Sequence, residues 1–255
     1  MESPLFDLSG KVAVITGGNG GIGLGIASGL AAAGASIVIA ARDQHKTGQA
    51  VKELEKSGTN VIGTTTDVSN EISVRQMVKT TLHRFGAIDI LVNNAGTTVR
   101  KAPQEYTLEE WNHVFDVNMT GTYLSAREAY APMAENGGGK IINIGSMTSI
   151  FGSDWVSAYA ATKGGVVQLT KSLAVAWAKD NIQVNSILPG WIHTNLTSAI
   201  RTGAPERYEF ITSRIPNGRW GEPTDLSGTA VFLASAASDY VTGASIPVDG
   251  GYTSF

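Results

Sequence analysis

Residues 12–41 read VAVITGGNGGIGLGIASGLAAAGASIVIAA, and no charged residue interrupts them. Length alone would suit a membrane span, since about 20 apolar residues cross a bilayer. The glycines decide otherwise. Thr16-Gly17-Gly18-Asn19-Gly20-Gly21 breaks the run and Gly34 breaks it again, leaving pieces too short to span. Val12–Thr16 is short, apolar and β-branched, as a strand buried on both faces is. Residues 22–33 have helical composition and stop at Gly34, a residue that closes helices. Ser36–Ala41 is strand-like again. The stretch therefore reads strand, glycine turn, helix, turn, strand.

The alternation continues outward. A polar helix is expected over 44–56 and an amphipathic one over 72–85, with strands at Val61–Thr65 and 88–92. Two helices, 108–117 and 120–134, precede a strand at 140–144. A long helix over 159–178 leads to a strand at 183–188, ended by Pro189-Gly190. A helix over 224–234 and a strand at Ser245–Val248 complete the pattern. Strands alternating with helices of this length imply right-handed crossovers and a doubly wound, Rossmann-like parallel sheet with helices on both faces. No linker or repeat divides residues 1–255, so one α/β domain is expected. The least regular stretch, 194–220, follows a strand's carboxyl end, where such sheets bind ligands. It is expected to cover the substrate as a partly mobile lid.

Composition narrows the function. Of 255 residues 42% are hydrophobic and 16% charged, as in a globular domain, and the net charge of −3 offers no basic excess for nucleic acid. The chain has no cysteine, which excludes disulfides, thiolate metal sites and cysteine nucleophiles. The four histidines show no metal-binding spacing. Residues 1–11 contain Glu2 and Asp7 and no long apolar run, so they do not read as a secretory signal, and a cytoplasmic location away from membranes is expected.

Five glycines in the seven positions 17–23 exceed what an ordinary strand-to-helix turn needs. They let the backbone turn tightly and approach a pyrophosphate, while the following helix offers free N–H groups and its dipole to the anion. Gly17, Asn19, Gly21, Ile22 and Gly23 are the candidate contacts. The spacing is T-G-x-x-x-G-x-G rather than G-x-G-x-x-G. At the end of the second strand an acidic residue would hold the ribose hydroxyls of NAD. Here the strand ends Ala40-Ala41-Arg42, with no carboxylate before a planar cation suited to phosphate, which favours NADP(H) over NAD(H). The alternatives are that Arg42 is solvated or stacks on adenine, with Asp43 offsetting part of its charge. Asp67 and Val68 either border the adenine or serve the next helix, through Asp67 or Ser69 as N-cap.

Tyr159 and Lys163 stand one helical turn apart on a common face. A tyrosine near a cation can lose its proton more readily than its usual value near 10 allows, and can then act as acid or base toward an alkoxide or alcohol. Ser146 follows the fifth strand, at the ligand-binding end of a parallel sheet, and could hold the same oxygen.

With these residues the chain resembles the short-chain dehydrogenase/reductase family over nearly its whole length. The resemblance rests on 16–23, Asn93-Asn94-Ala95-Gly96, Asn118, Ser146, Tyr159 with Lys163, Pro189-Gly190 with Thr194, and Val248-Asp249-Gly250-Gly251. It implies a seven-stranded parallel sheet, Tyr159 as general acid/base, Lys163 lowering its pKa and binding the nicotinamide ribose, Ser146 orienting the substrate oxygen, and Asn118 holding a water in a proton relay. It places Asn94, Ala95 and Gly96 on the adenosine side, and Pro189, Gly190, Ile192 and Thr194 beside the nicotinamide amide. It implies a homotetramer or homodimer, and no metal.

Pro189-Gly190-Trp191-Ile192-His193-Thr194-Asn195, residues 214–223 and 237–243, and Ser146-Met147 are similar to the sugar-acid branch, which includes 2-deoxy-D-gluconate 3-dehydrogenase and gluconate 5-dehydrogenase. A sugar acid calls for a cation, for which Arg100 and Lys101 are candidates against a solvated loop; Arg219 is the more structural arginine, tied to an acidic neighbour. Met147, Trp155, Trp191 and His193 are further substrate candidates. A 3-oxoacyl-carrier-protein reductase is a competing reading, weakened by Val175 and Asp180 where such enzymes place arginines. A broad ketone reductase could line its pocket with Trp155, Trp191 and Tyr208. A non-catalytic dinucleotide sensor would not need Ser146, Tyr159 and Lys163. A serine hydrolase fails because Ser146 lies outside a G-x-S-x-G elbow.

Overall fold

The computed structural model describes residues 4–254; Glu2, in the opening segment, lies outside the described residues. Seven strands form one parallel sheet: β1 (Val12–Thr16), β2 (Ser36–Ala41), β3 (Val61–Thr65), β4 (Ile90–Asn93), β5 (Gly139–Ile144), β6 (Ile182–Pro189) and β7 (Ser245–Val248). Their order is β3-β2-β1-β4-β5-β6-β7. The chain winds one way from β1 through β3 and the other way from β4, so the order reverses between β1 and β4. That is the position at which open α/β sheets bind ligands beyond the strands' carboxyl ends.

Among the described residues nine α-helices accompany the sheet. They are α1 (Gly21–Ala32), α2 (Gln44–Glu55), α3 (Glu71–Phe85), α4 (Leu108–Phe115), α5 (Gly121–Glu135), α6 (Ser157–Trp177), α7 (Ser198–Gly203), α8 (Pro205–Ser213) and α9 (Ser227–Ala234). Successive strand residues point to opposite faces, and both faces are covered. Ile15, Ile37, Ile39, Val92 and Ile142 pack with Ile26 and Leu30 of α1 and Ala230 and Leu233 of α9. Val14, Val38, Leu91, Ile141 and Val184 pack with Val74 and Met77 of α3, Ala129 and Met133 of α5, and Leu173 of α6. This is why β1 is buried at every position rather than at alternate ones. Among the described residues no helix is long and apolar enough to cross a membrane.

Two segments differ from the sequence expectation. The helices expected at 108–117 and 120–134 form one continuous rod, because a π-helical turn at Asp116–Thr120 joins α4 to α5. Such a turn widens the helix locally and frequently marks a functional position; Asn118 sits inside it. The stretch 194–220 is more regular than expected, since it carries α7 and α8. Pro205 opens α8 with Glu206 beside it in the first turn, a helix-start signal that the composition already held.

Candidate active site

A cleft of about 590 Å³ lies over the carboxyl ends of the strands. Gly17, Asn19, Gly21 and Ile22 border its middle. Gly17 has φ +63°, a left-handed conformation that glycine adopts without strain. No side chain caps α1, whereas Asp43 caps α2 and Asn70 caps α3. The first-turn N–H groups of α1 are thus left for an anion in the cleft. Gly23 does not line the cleft. A Cβ there would lie 2.4 Å from the Gly17 carbonyl and 2.5 Å from Asn94 Nδ2, so this glycine serves close packing of α1 under the loop. Asn94 spends its side chain on the same loop, its Nδ2 donating to the Thr16 and Gly17 carbonyls at 3.0 Å each.

One end of the cleft is bounded by Arg42, Asp43 and Lys46, with Asp67 and Val68 beside them. Asp43 Oδ1 accepts from Lys46 N at 3.0 Å, so its carboxylate is committed to the start of α2. Arg42 and Lys46 are left as two cations at the cleft edge. Lys46 was not foreseen, although a second base one turn beyond Arg42 was a legible signal. Asp67 is not the N-cap of α3; that role falls to Asn70. Its Oδ1 accepts from Ser69 Oγ at 2.7 Å and from Ser69 N at 3.0 Å, and the hydroxyl's hydrogen bond holds the carboxyl below its ordinary value.

The other end holds Ser146, Tyr159 and Lys163, with Gly96, Pro189, Gly190, Ile192 and Thr194 around them. A Cβ on Gly21 would lie 3.2 Å from Thr194 Cγ2, so the loop after β6 reaches the glycine loop across the cleft. Lys163 is buried; its Nζ donates to the Ile144 carbonyl at 2.6 Å and lies 5.6 Å from the centre of the Tyr159 ring. Burial pushes its pKa down to about 8. Tyr159 is pushed the opposite way, upward, because packing desolvates the phenolate; the Ser146 hydroxyl and then the Arg100 guanidinium favour the ionised form. Ser146 Oγ accepts from Thr148 N at 3.1 Å and Thr148 Oγ1 at 3.0 Å, which leaves its own proton to donate outward.

Asn118 lies beneath this end. Its Oδ1 accepts from Thr97 N at 2.8 Å, and its Nδ2 donates to Thr97 O at 3.0 Å and Thr162 Oγ1 at 3.1 Å. Both Nδ2 protons and one acceptor position of Oδ1 thus hold the Gly96–Thr97 loop against α6. The sequence matches the family described as Enoyl-(Acyl carrier protein) reductase, adh_short_C2, over residues 17–253. The chain belongs to the short-chain dehydrogenase/reductase family. It is an oxidoreductase of that family. The 2-dehydro-3-deoxy-D-gluconate 5-dehydrogenase of Bacillus subtilis (strain 168) is 44% identical over 249 residues, covering 98% of this chain and 97% of that protein. The 5-keto-D-gluconate 5-reductase of Escherichia coli (strain K12) is 40% identical over 248 residues, covering 97% of each. Among solved structures, a gluconate 5-dehydrogenase from Burkholderia cenocepacia J2315 in complex with NADP and tartrate superposes with a TM-score of 0.95 at 40% identity, over 99% of this chain and 98% of that one.

Within this short-chain dehydrogenase/reductase the substrate candidates take different places. Met147 is buried in a third apolar cluster with Ile200, Ile211, Trp220 and Tyr252, and Trp155 and Trp191 pack against it. Trp191 lies 5.0 Å from Trp220, ring centre to ring centre. The His193 ring is held between Glu222 Oε1, 2.7 Å from Nδ1, and the Tyr208 hydroxyl, 3.3 Å from Nε2. These side chains form the wall beside the cleft rather than its lining. Lys101 is paired with Glu110, and Arg219 grips Asp225 through two bonds of 2.7 and 3.1 Å, the structural role expected of it. Arg100 remains close enough to Tyr159 to act on its phenol.

Proposed function

We propose that this chain interconverts a secondary alcohol and a ketone on a sugar acid, using NADP(H) in preference to NAD(H), with Tyr159 as the general acid/base. One observation carries the reading: a single cleft joins the cations Arg42 and Lys46 to the Ser146–Tyr159–Lys163 group, with an uncapped helix start between them. The relatives' names, and the NADP-bound neighbour, support the sugar-acid class and the phosphorylated cofactor.

The nicotinamide cofactor supplies or accepts the hydride. Arg42 and Lys46 would hold the 2′-phosphate, the first turn of α1 the pyrophosphate, and Lys163 the ribose hydroxyls. In the reducing direction Ser146 donates its free proton as a hydrogen bond to the carbonyl oxygen, and Tyr159 transfers its phenolic proton as that oxygen becomes an alkoxide. In the oxidising direction the phenolate takes the proton back. The positive charge of Lys163 beside the ring offsets the phenolate that forms. Segment 194–220 covers the substrate, and Arg100 stands where a carboxylate can reach it. Homotetramer or homodimer formation belongs to the same reading; Tyr123 on α5 and Val175 on α6 expose apolar surface for it.

Absorbance at the reduced-nicotinamide band tests this, with both cofactors against sugar acids, neutral polyols, acyl thioesters and cyclic ketones. Turnover of 5-keto-D-gluconate or a related keto acid with NADPH is expected. Preferential turnover of acyl thioesters would replace the proposal with a carrier-protein reductase.

A further inference from the structure

Three segments distant in the chain meet at one indole, that of Trp155. Arg100, in the loop after β4, places its guanidinium carbon 5.4 Å from the centre of the Trp155 ring. Arg207, in α8, places its own 3.8 Å from a Trp155 ring. Lys101 N donates to Trp155 O at 3.0 Å, which fixes the Trp155 loop to the Arg100 loop. Arg100 Nη2 donates to Leu196 O at 2.6 Å, tying the same loop to segment 194–220.

Neither guanidinium is in an ion pair among the described residues, whereas Arg75, Arg127 and Arg219 each grip carboxylates. Two like charges converging on one ring repel each other, and the charge of Arg207 adds to burial in making Arg100 harder to protonate. Cation–π contact offsets part of that repulsion. An anion seated between the two forks would remove it and gain charge-assisted hydrogen bonds.

We propose that Arg207 is a specificity-determining residue: together with Arg100 it forms a two-armed grip for the substrate's carboxylate, over the Trp155 ring. The inference rests on the sugar-acid reading above and adds to it the residue that enforces it. One arm comes from a loop of the sheet and the other from α8, so an acid substrate ties the covering segment to the sheet and a neutral ketone does not.

The test compares kcat/KM for 5-keto-D-gluconate with that for a neutral ketohexose, at saturating NADPH, in wild type, Arg207→Ala and Arg207→Lys. Loss of a bond to a charged group is expected to lower the acid-to-neutral ratio about ten- to a hundredfold in Arg207→Ala, mostly through KM. Arg207→Lys should fall between, because it keeps the charge without the fork. An unchanged ratio overturns the grip. Wild-type enzyme that reduces no keto acid would sink the substrate reading instead, and the grip is then read by calorimetric titration of D-gluconate into the NADP+ complex. Binding at least tenfold weaker in Arg207→Ala upholds it, and equal or undetectable binding in both proteins refutes it.

Discussion

Ile15 and Trp220 are both almost wholly shielded from solvent, yet they belong to walls built by opposite means. Ile15 lies in the floor, where parallel strands in continuous register bring Thr16, Ala40 and Asn93 level. The groups presented there are largely main chain: the glycine loop, the start of α1 and the Ile144 carbonyl. Trp220 lies in the roof, held by side chains from separate segments. Its ring centre is 4.7 Å from that of Tyr208, 5.0 Å from that of Trp191 and 5.6 Å from that of His193, and its Nε1 donates to Thr212 Oγ1 at 3.0 Å. A single bridge, Ile192 to Gly221, is the roof's sheet-like pairing. Leu196 and Phe210 leave much of their surface exposed there. Floors made of buried ladders open only with the whole domain, while such a roof can open locally. On that contrast, the floor is expected to stay closed while the roof opens, so that changes in the roof leave the floor undisturbed.

The sharpest way to break this division is at the Tyr159 phenol, the proposed acid/base, which the floor positions. Tyr159→Phe should lose about 10²- to 10⁴-fold in turnover, the usual worth of a positioned acid/base, while fluorescence titration shows NADPH binding preserved. Near-normal turnover would remove Tyr159 from the chemistry. Lys163 tests the floor's burial. Its native pKa of about 8 lies below the ordinary 10.5, so the unfolded chain binds more protons between these values. Stability should therefore rise with pH across that window, relative to Lys163→Met, by up to about 3 kcal/mol. Urea midpoints of both proteins near pH 7 and pH 10 would show it, and a constant gap would mean the lysine is not desolvated as placed. At the outer edge of the floor, Arg42→Ala should weaken NADPH about ten- to a hundredfold, with NADH nearly unchanged. Equal losses for the two cofactors would show that Arg42 does not read the phosphate.

The same division governs what the sequence alone could tell. Glycine spacing, apolar runs and the Tyr159–Lys163 pair are local signals, and each is a feature of the floor. Gly23 is a partial exception: it was recognisable as part of the loop, but its contact with Asn94 depends on β4 lying beside β1. The π turn at Asn118 was not legible, because 108–134 carries no residue that marks a widened turn. The capping of α3 by Asn70 rather than Asp67 or Ser69 turns on a shift of one to three residues. The roof was hardest. Its pattern shows that Trp191, Tyr208 and Trp220 are apolar, but not that they stack on one another with Met147 and Tyr252. Arg207 next to Trp155 joins a helix residue to a loop residue that no periodicity connects.

The smallest effect probes the inside of the roof. Tyr208→Phe removes one hydroxyl, the partner of His193 Nε2, and keeps the ring against Trp220. The loss should be about 0.5–1.5 kcal/mol, the net worth of a typical hydrogen bond. If the roof is an independently opening unit, that energy comes out of its closed state alone. KM for the substrate should then rise a few-fold, amide exchange in 205–213 should quicken, and NADPH affinity and exchange in β1 and β4 should stay at wild-type values. Should cofactor affinity fall in step with substrate affinity, the roof and floor are one cooperative unit, and the contrast drawn between Ile15 and Trp220 is one of architecture without separate stability.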